Sequence, residues 1–184
     1  DLAARLGVTG DEVASWRTAA EAMTIPYDER LGVHSQSAGF TDHDRWDFEA
    51  TPVEQYPLLL HVPYFDLYRK QVVKQADLVL AMHLRPEAFT AEQKARNFAY
   101  YEAITVRDSS LSACTQAVVA AEVGHVDLAY DYLAEAALVD LGDLAGNTGD
   151  GLHMASMAGA WIAVVAGLGG MRASPSLGFA PRLP

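Results

Sequence analysis

The sequence predicts an all-α fold, a helical barrel or part of one. Apolar residues recur at helical intervals in several segments, and almost no stretch alternates like a strand. Long polar segments separate the helices, and we expect these loops to open at a common end. The 184 residues fit one domain, and a content of 51% hydrophobic and 20% charged residues is typical of an ordered protein.

The first third of the chain predicts one helix and then a long irregular segment. Thr9 and Glu12 have the spacing of a capping box, and the helical pattern that follows ends at Met23, before Pro26. Residues 27–64 mix prolines with aromatic, acidic and histidine side chains and predict a loop with short extended pieces. A loop of this length is either an active-site wall or a segment that wraps a barrel.

The remaining two thirds predict a series of helices. Apolar periodicity places them at residues 67–84, 90–101, about 110–123, 127–139 and 155–168, with polar loops at 102–110 and 140–153. Thr90 and Gln93 form a second capping box, and Ser110 or Ser112 is expected to cap the next helix. Gly124 and a very short linker predict an antiparallel helical hairpin.

Charge and cysteine content exclude several classes of protein. A formal net charge of −11 would repel nucleic acids and anionic lipid surfaces, so neither is an expected partner. The longest apolar run, residues 154–171, contains serine and glycines and predicts a core helix rather than a membrane span. The single cysteine, Cys114, lies in an apolar helical pattern and predicts a buried thiol in a reducing compartment, the cytoplasm.

Three polar clusters are candidates for chemistry, since each follows or interrupts an apolar helix. They are Lys74-Gln75, which we place in the middle of a helix, residues 105–110, and residues 150–153. Hydroxyls and free backbone N–H groups of Ser109 and Ser110 at a helix start would suit an anion such as phosphate. The alternatives are that the serines only cap the helix, that Lys74 is a solvated helix residue, and that His153 is a turn residue. No histidine or carboxylate spacing predicts a metal site.

Several strings resemble the maltose, trehalose and kojibiose phosphorylases of glycoside hydrolase family 65. The matching strings, in the order and approximate spacing of the family, are residues 70–77 (KQVVKQAD), 100–102 (YYE), 105–112 (TVRDSSLS), 150–153 (DGLH) and 156–159 (SMAG). The resemblance implies an (α/α)₆ barrel. It also implies a reaction in which a glutamate protonates the glycosidic oxygen while inorganic phosphate attacks the anomeric carbon from the opposite face.

Residue roles follow from this resemblance, position by position. Lys74 and Gln75 match the pair that contacts the sugar, while Ser109, Ser110 and His153 match the phosphate pocket. A disaccharide and phosphate are therefore the expected partners, with phosphate as co-substrate and no cofactor. Donors and positive charge are what an attacking phosphate dianion needs.

The resemblance also implies that residues 1–184 are the C-terminal portion of the catalytic domain. The family's acid glutamate lies in a motif expected upstream of Asp1, and the C-terminal β domain is expected to be absent. Glu102 matches a different family position, where a carboxylate could orient sugar hydroxyls. A partial barrel would expose an apolar wall, which the remainder of the enzyme or a second copy would cover.

Two rival functions remain open from the sequence. A hydrolase of the same family would need a carboxylate base where a phosphorylase holds phosphate, and residues 105–112 with His153 resemble the phosphate version. A helical interaction module without catalysis would explain the amphipathic helices, but it gives no reason for the family spacing of the polar clusters.

Overall fold

Helices form most of the chain, as the sequence predicts. The computed structural model describes residues 2–173 and 176–183, so Asp1 and the tail prolines Pro175 and Pro184 lie outside the described residues. The α-helices are α1 (Leu2–Arg5), α2 (Gly10–Ala22), α3 (Leu58–His61), α4 (Tyr64–Leu67), α5 (Asp77–Leu84), α6 (Ala91–Glu102), α7 (Ser112–Glu122), α8 (Val126–Leu138) and α9 (Met154–Ile162). Helix α9 continues as a π-helical segment (Ala163–Leu168), and 3₁₀ turns occur at Phe40–Asp42, Val53–Gln55, Pro86–Ala88 and Thr148–Asp150.

Helix α7 lies at the centre of the packing. It contacts α5, α6, α8, α9 and the π-helical segment, and the side chains of Val118 and Val119 are completely buried. Alanines occupy much of the rest of α7, and such small side chains let neighbouring helices approach closely. A large core joins α5, α6 and α7, and a smaller one joins α7, α8 and the segment after α9.

The predicted helical hairpin is α7 and α8. Ala113 at the start of α7 shares a core cluster with Ala136 near the end of α8, so the two helices run antiparallel. Gly124 in the linker has a left-handed backbone with φ of 95°, which glycine adopts without steric cost. The sequence prediction is confirmed, with the helices shifted by one or two residues.

The two predicted capping boxes are confirmed. Thr9 caps α2 and Thr90 caps α6. In both boxes the threonine hydroxyl accepts a hydrogen bond from the backbone N–H three residues later. The side chains of Glu12 and Gln93 accept from the threonine N–H in return. Both helices begin where the local sequence pattern places them.

Residues 27–64 form the predicted loop with short extended pieces. Strand β1 (Tyr27–Asp28) pairs antiparallel with β2 (Val33–His34), and β3 (Asp44–Arg45) pairs parallel with β4 (Lys70–Gln71). Tyr101 in α6 donates its hydroxyl hydrogen to the His34 carbonyl at 2.8 Å, which attaches the loop to the helical core. The loop is therefore held against α6 and against the segment that contains β4.

The prediction of one helix over residues 67–84 is wrong for its first half. Helix α5 begins only at Asp77, and Lys74 and Gln75 lie in an extended segment instead of the middle of a helix. Gln71 and Val73 are buried while Lys74 is exposed, an alternation typical of a strand. Pairing of this segment with neighbouring chain outweighs the local helical pattern.

Helix α7 also begins differently from the prediction. Its N-cap residue is Leu111, which makes no side-chain capping bond, so neither Ser110 nor Ser112 caps the helix. The Ser112 hydroxyl instead donates to the Lys74 carbonyl at 3.3 Å.

Cys114, predicted to be buried, is only partly buried. Within the described residues, every helix is too short or too polar to cross a membrane.

Candidate active site

A parallel β-bridge brings two of the predicted polar clusters together. Val73 donates its backbone N–H to the Ile104 carbonyl at 2.9 Å, and Val106 donates to the Val73 carbonyl at 2.9 Å. The residues that follow on each side of this bridge are Lys74-Gln75 and residues 107–110. The extended conformation that the sequence did not predict is therefore what aligns these clusters.

All the residues predicted to bind sugar or phosphate line one cleft of about 680 Å³. Its lining consists of Tyr56, Pro57, Lys74, Gln75, Arg107, Asp108, Ser109, Ser110, Leu111, Glu135, Val139, Leu144, Ala145, Asn147 and His153. The cleft is within the 300–1,000 Å³ range of small-molecule sites. The cleft places a lysine, a glutamine, two hydroxyls and an imidazole within one space, although they come from three separate segments.

Ser109 is held by direct contacts at the cleft. Its hydroxyl accepts a hydrogen bond from the Gln75 side-chain amide at 2.6 Å and one from the Leu111 N–H at 3.3 Å. Gln75 thus connects the predicted sugar-binding pair to the predicted phosphate pocket. Because its oxygen accepts, the hydroxyl hydrogen of Ser109 is available to an anion.

Asp108 connects residues 105–112 to the long irregular loop of residues 27–64. Its carboxylate accepts a hydrogen bond from the Leu58 N–H at 2.7 Å, at the start of α3. Burial raises the pKa of Asp108, although the Leu58 N–H and the nearby charge of Lys74 act in the opposite direction. The contact places Tyr56 and Pro57 against the cleft, so part of the long loop is a wall of the site.

His153 is anchored by Asp140 from the other side of the loop between α8 and α9. Nδ1 of His153 lies 2.6 Å from one carboxylate oxygen of Asp140, and the backbone N–H of His153 donates to the other at 2.9 Å. The hydrogen bond from the His153 side chain is the main reason that the pKa of Asp140 is lowered. Asp140 is therefore an ionised partner at neutral pH.

Arg107 and Glu102 belong to a second polar cluster behind the cleft. The Glu102 carboxylate accepts hydrogen bonds from Arg107, from the Tyr132 hydroxyl and from Gln116, the last at 2.8 Å. The Arg107 guanidinium lies over the Tyr132 ring, 4.8 Å from its centroid. Burial, followed by the bond to Glu102, raises the pKa of Tyr132. Arg107 has a left-handed backbone with φ of 64°, which is uncommon for a residue with a side chain.

Glu135 contributes a second carboxyl group to the cleft lining, besides Asp108. Burial raises its pKa, and the charge of Glu102 adds to that effect while Arg107 opposes it. The cleft thus contains carboxyl groups of reduced acidity next to hydroxyl and cationic donors. In the part of the chain that the structure describes, no three His, Cys, Asp or Glu side chains converge as metal ligands.

A second cavity of about 590 Å³ adjoins the cleft. It shares Lys74 and Asp108 with the cleft and is otherwise lined mainly by apolar and aromatic side chains, including Phe40, Leu58 and Tyr64. Lys74 therefore lies between a polar space and a more apolar one.

Sequence reasoning from the polar clusters missed several residues of this region. Arg107 and Asp108 lie within the matched string but were assigned no role, and Glu135 and Asp140 lie in or directly after an amphipathic helix. A carboxylate on the otherwise apolar face of α8 is the one local signal that could have indicated Glu135. Nothing in the sequence pairs Asp140 with His153, because a separation of 13 residues has no regular structural meaning.

Comparisons with known proteins agree with this architecture. The model of the glycosyl hydrolase family 65 central catalytic domain matches residues 1–162. A solved structure assigned as a kojibiose phosphorylase from the human microbiome superposes with a TM-score of 0.87 at 32% identity, covering 97% of this chain and 27% of that one. The chain therefore belongs to glycosyl hydrolase family 65, and its helices form part of an α/α barrel.

Several relatives of this chain are named as phosphorylases. The chain is 47% identical to an α,α-trehalose phosphorylase of Geobacillus stearothermophilus and 36% identical to a maltose phosphorylase of Bacillus subtilis, over 100% and 97% of its length. It is 62% identical over its whole length to an uncharacterised glycosyl hydrolase of Mycobacterium tuberculosis. The chain spans about a quarter of the length of each of these relatives, with 24%, 24% and 23% covered.

Proposed function

We propose that the protein containing this chain is an inverting glycoside phosphorylase. It would cleave an α-linked glucose disaccharide with inorganic phosphate and release β-glucose 1-phosphate and a free sugar. The observation that carries the proposal is the convergence of Ser109, Ser110 and His153 with Lys74 and Gln75 in one cleft. Relatives named trehalose, maltose and kojibiose phosphorylase support the same class of reaction.

The proposed reaction is a single displacement at the anomeric carbon. A phosphate oxygen forms the new bond to this carbon while the bond to the glycosidic oxygen breaks on the opposite face, so the configuration inverts. A general acid protonates the departing oxygen. We assign this acid to no described residue.

Cleft residues would hold and orient the two substrates in this reaction. Ser109, Ser110 and His153 would donate hydrogen bonds to phosphate, and Lys74 with Gln75 would bind hydroxyls of the sugar. The Gln75 to Ser109 hydrogen bond of 2.6 Å would keep the sugar and phosphate positions at a fixed separation. Lys74, shared with the neighbouring cavity, would mark the point where the sugar enters it.

Phosphate-dependent turnover is the direct test. The full-length protein would be incubated with maltose, trehalose, kojibiose and nigerose, with and without phosphate, and products would be followed by NMR. We expect β-configured sugar 1-phosphate from at least one disaccharide, formed only when phosphate is present. Equal release of glucose without phosphate would instead establish a hydrolase, and no turnover in either condition would favour a non-catalytic helical module.

Variants of the cleft test the roles of individual residues. His153→Ala and the double change Ser109→Ala, Ser110→Ala should raise the KM for phosphate about tenfold or more, since a hydrogen bond to a charged group contributes roughly 1.5–3 kcal/mol. The KM for the disaccharide should change much less. Thr115→Ala removes a hydroxyl that lines a different cavity and serves as the control. An unchanged phosphate constant in the cleft variants would contradict the phosphate pocket.

A family hydrolase is the second candidate, and Glu135 is the observation that favours it. A hydrolase needs a carboxylate base to activate water, and Glu135 is a carboxyl group in the cleft wall. Glu135→Gln separates the two candidates: it should abolish a hydrolase reaction that uses this base, whereas phosphorolysis should largely persist.

An exposed apolar face on α9 supports the expectation that other protein covers this chain. Met154, Met157 and Trp161 have 66%, 49% and 69% of their surface exposed and follow one another at helical intervals. We propose that the remainder of the enzyme or a second copy packs here. The 184-residue chain alone should therefore self-associate and should not catalyse phosphorolysis, which mass measurement in solution and the assay above can check.

A further inference from the structure

Asp140 binds His153 through both of its carboxylate oxygens. One oxygen accepts from the backbone N–H of His153 at 2.9 Å, and the other lies 2.6 Å from Nδ1 of the same residue. The side chains of Asp140 and His153 are 10% and 19% exposed, so most of each lies against other protein atoms. Asp140 follows α8 closely and His153 directly precedes α9, so the pair also closes the intervening loop.

The chemistry of a carboxylate fixes where the imidazole hydrogen lies. An ionised carboxylate has acceptor oxygens only, so Nδ1 must carry a hydrogen to bond with it. Nε2 is then the nitrogen that remains for a ligand, and it has no hydrogen-bond partner among residues 2–173 and 176–183. Nε2 of the neutral Nδ1–H ring has only a lone pair, so it is the protonated ring that donates Nε2–H to phosphate while Nδ1–H keeps its bond to Asp140.

From this geometry we infer that Asp140 is a positioning residue for the phosphate reaction, which holds His153 in the Nδ1–H form with Nε2 directed to phosphate. The inference rests on the proposed function for its ligand. Asp140 does not touch phosphate itself and acts through the imidazole. The principle matches the buried aspartate that orients the histidine of a Ser-His-Asp triad.

Asp140→Asn should reverse this arrangement while keeping the shape of the side chain. The backbone N–H of His153 can only donate, so the amide oxygen of the new residue must face it. The amide NH₂ group then faces Nδ1 and donates to it, so the neutral ring must carry its hydrogen on Nε2. If the ring were protonated, its Nδ1–H would face the NH₂ group of the new residue, so two donors would oppose each other. His153 would therefore lose the ability to bind phosphate as a cation.

The hydrogen position can be measured without any ligand. Selective ¹³C and ¹⁵N labelling of histidine in the deuterated full-length protein distinguishes the two neutral tautomers, and the His153→Ala variant assigns the signal. We expect the Nδ1–H form in the natural protein and in Asp140→Glu, and the Nε2–H form in Asp140→Asn. An unchanged tautomer in Asp140→Asn would overturn the inference.

Kinetics test whether the tautomer matters to phosphate. In Asp140→Asn the KM for phosphate should rise about tenfold, because a neutral Nε2–H replaces a cationic donor and a charge-assisted hydrogen bond is roughly twice as strong, while the KM for the disaccharide stays near the natural value. Asp140→Glu should recover part of the loss. A simple structural role would instead change both constants or neither, and either result would overturn the inference.

Asp143 provides a matched control in the same loop. Its carboxylate accepts from the Thr148 N–H at 3.0 Å and the Thr148 hydroxyl at 2.7 Å, and it acts on His153 only through space. Asp143→Asn should leave the tautomer and the KM for phosphate unchanged, and an effect as large as that of Asp140→Asn would overturn the inference.

Failure of the proposed function can be told apart from failure of this inference. If the natural protein shows no phosphate-dependent turnover while the tautomer changes as expected, the proposed function fails and the hydrogen-bond geometry stands.

Discussion

Helix α2 and the core helix α7 differ in what stabilises them, although both sequences have a helical pattern. Helix α2 has a complete capping box, but none of its 13 residues is buried. Helix α7 has no side-chain cap, yet eight of its 11 residues are buried. Local signals are thus sufficient to start a helix, whereas burial of apolar side chains decides how much that helix contributes to the stability of the fold.

Aromatic truncation should give the largest contrast between the two regions. Phe98 in α6 is 2% exposed and belongs to the main core, whereas Trp16 in α2 is 57% exposed. Phe98→Ala should lower the free energy of unfolding by about 3–5 kcal/mol. Trp16→Ala should change it by less than about 0.5 kcal/mol. Urea unfolding of both variants measures this, and a loss above about 1.5 kcal/mol for Trp16→Ala would show that α2 is packed against other protein.

Acid sensitivity should separate the same two regions. Burial acts to raise the pKa of Glu122 in α7, but hydrogen bonds and charges of Lys94 and Arg172 outweigh it, and the pKa is lowered. Because the folded pKa lies below the unfolded value of about 4.3, this stabilisation is complete above that pH and is lost as pH falls through the folded pKa.

The expected result is a fall in the free energy of unfolding below about pH 4.5 that depends on Glu122. Glu122→Gln should remove part of this dependence and cost roughly 3 kcal/mol at pH 7, because Lys94 would keep its buried charge with a neutral partner. Glu12 in α2 also has a lowered pKa, mainly from the Thr9 N–H, and Glu12→Gln should leave the curve of global stability against pH unchanged. Equal curves for both variants would contradict the comparison.

Added methyl groups provide a smaller contrast. A Cβ at Gly159 in α9 would lie 2.5 Å from both Cβ and Sγ of Cys114 in α7, so either helix must move. Gly159→Ala should therefore destabilise the protein by about 1–3 kcal/mol. A Cβ at Gly10 in α2 meets nothing within 4 Å, and Gly10→Ala should be neutral or stabilise by a few tenths of a kcal/mol. Thermal unfolding of the pair measures the difference, and a neutral Gly159→Ala would show that α7 and α9 are not closely packed.

The elements that depend on local signals can be predicted from the sequence, whereas those that depend on distant contacts cannot. The starts of α2 and α6 were predicted because Thr9 and Thr90 act on backbone groups three residues away. Residues 70–76 were predicted wrongly as helix, because their conformation depends on β3 and on residues 104–106, which are distant in sequence. Local pattern contains no information about such partners.

The candidate site depends on distant partners even more strongly. Lys74, Ser109 and His153 come from three segments, and their convergence was predicted by family resemblance, since no spacing rule connects them. The sequence does not indicate roles for Asp140 and Glu135, because a carboxylate in or after an amphipathic helix is ordinarily a solvated residue. Only the three-dimensional structure shows that one binds His153 and that the other lines the cleft.

The same capping motif occurs in both regions, at the start of α2 and at the start of α6. The two capping boxes are nearly identical: the N–H of Glu12 lies 3.2 Å from the Thr9 hydroxyl, and the N–H of Gln93 lies 3.2 Å from the Thr90 hydroxyl. Both threonines therefore lose the same bond on substitution by alanine, and an N-cap contributes about 1 kcal/mol to its helix.

The consequences of losing these two caps should nevertheless differ. Helix α6 buries Phe98 and Tyr101, so α6 unfolds only with the core, and Thr90→Ala should lower the global free energy of unfolding by about 1 kcal/mol. Helix α2 buries nothing and can open by itself, so Thr9→Ala should speed amide hydrogen exchange in α2 without changing global stability. Urea unfolding combined with residue-resolved hydrogen exchange tests both statements. Equal global losses would mean that α2 is coupled to the core through its ends despite its exposed surface, and the division between local and tertiary stabilisation would fail.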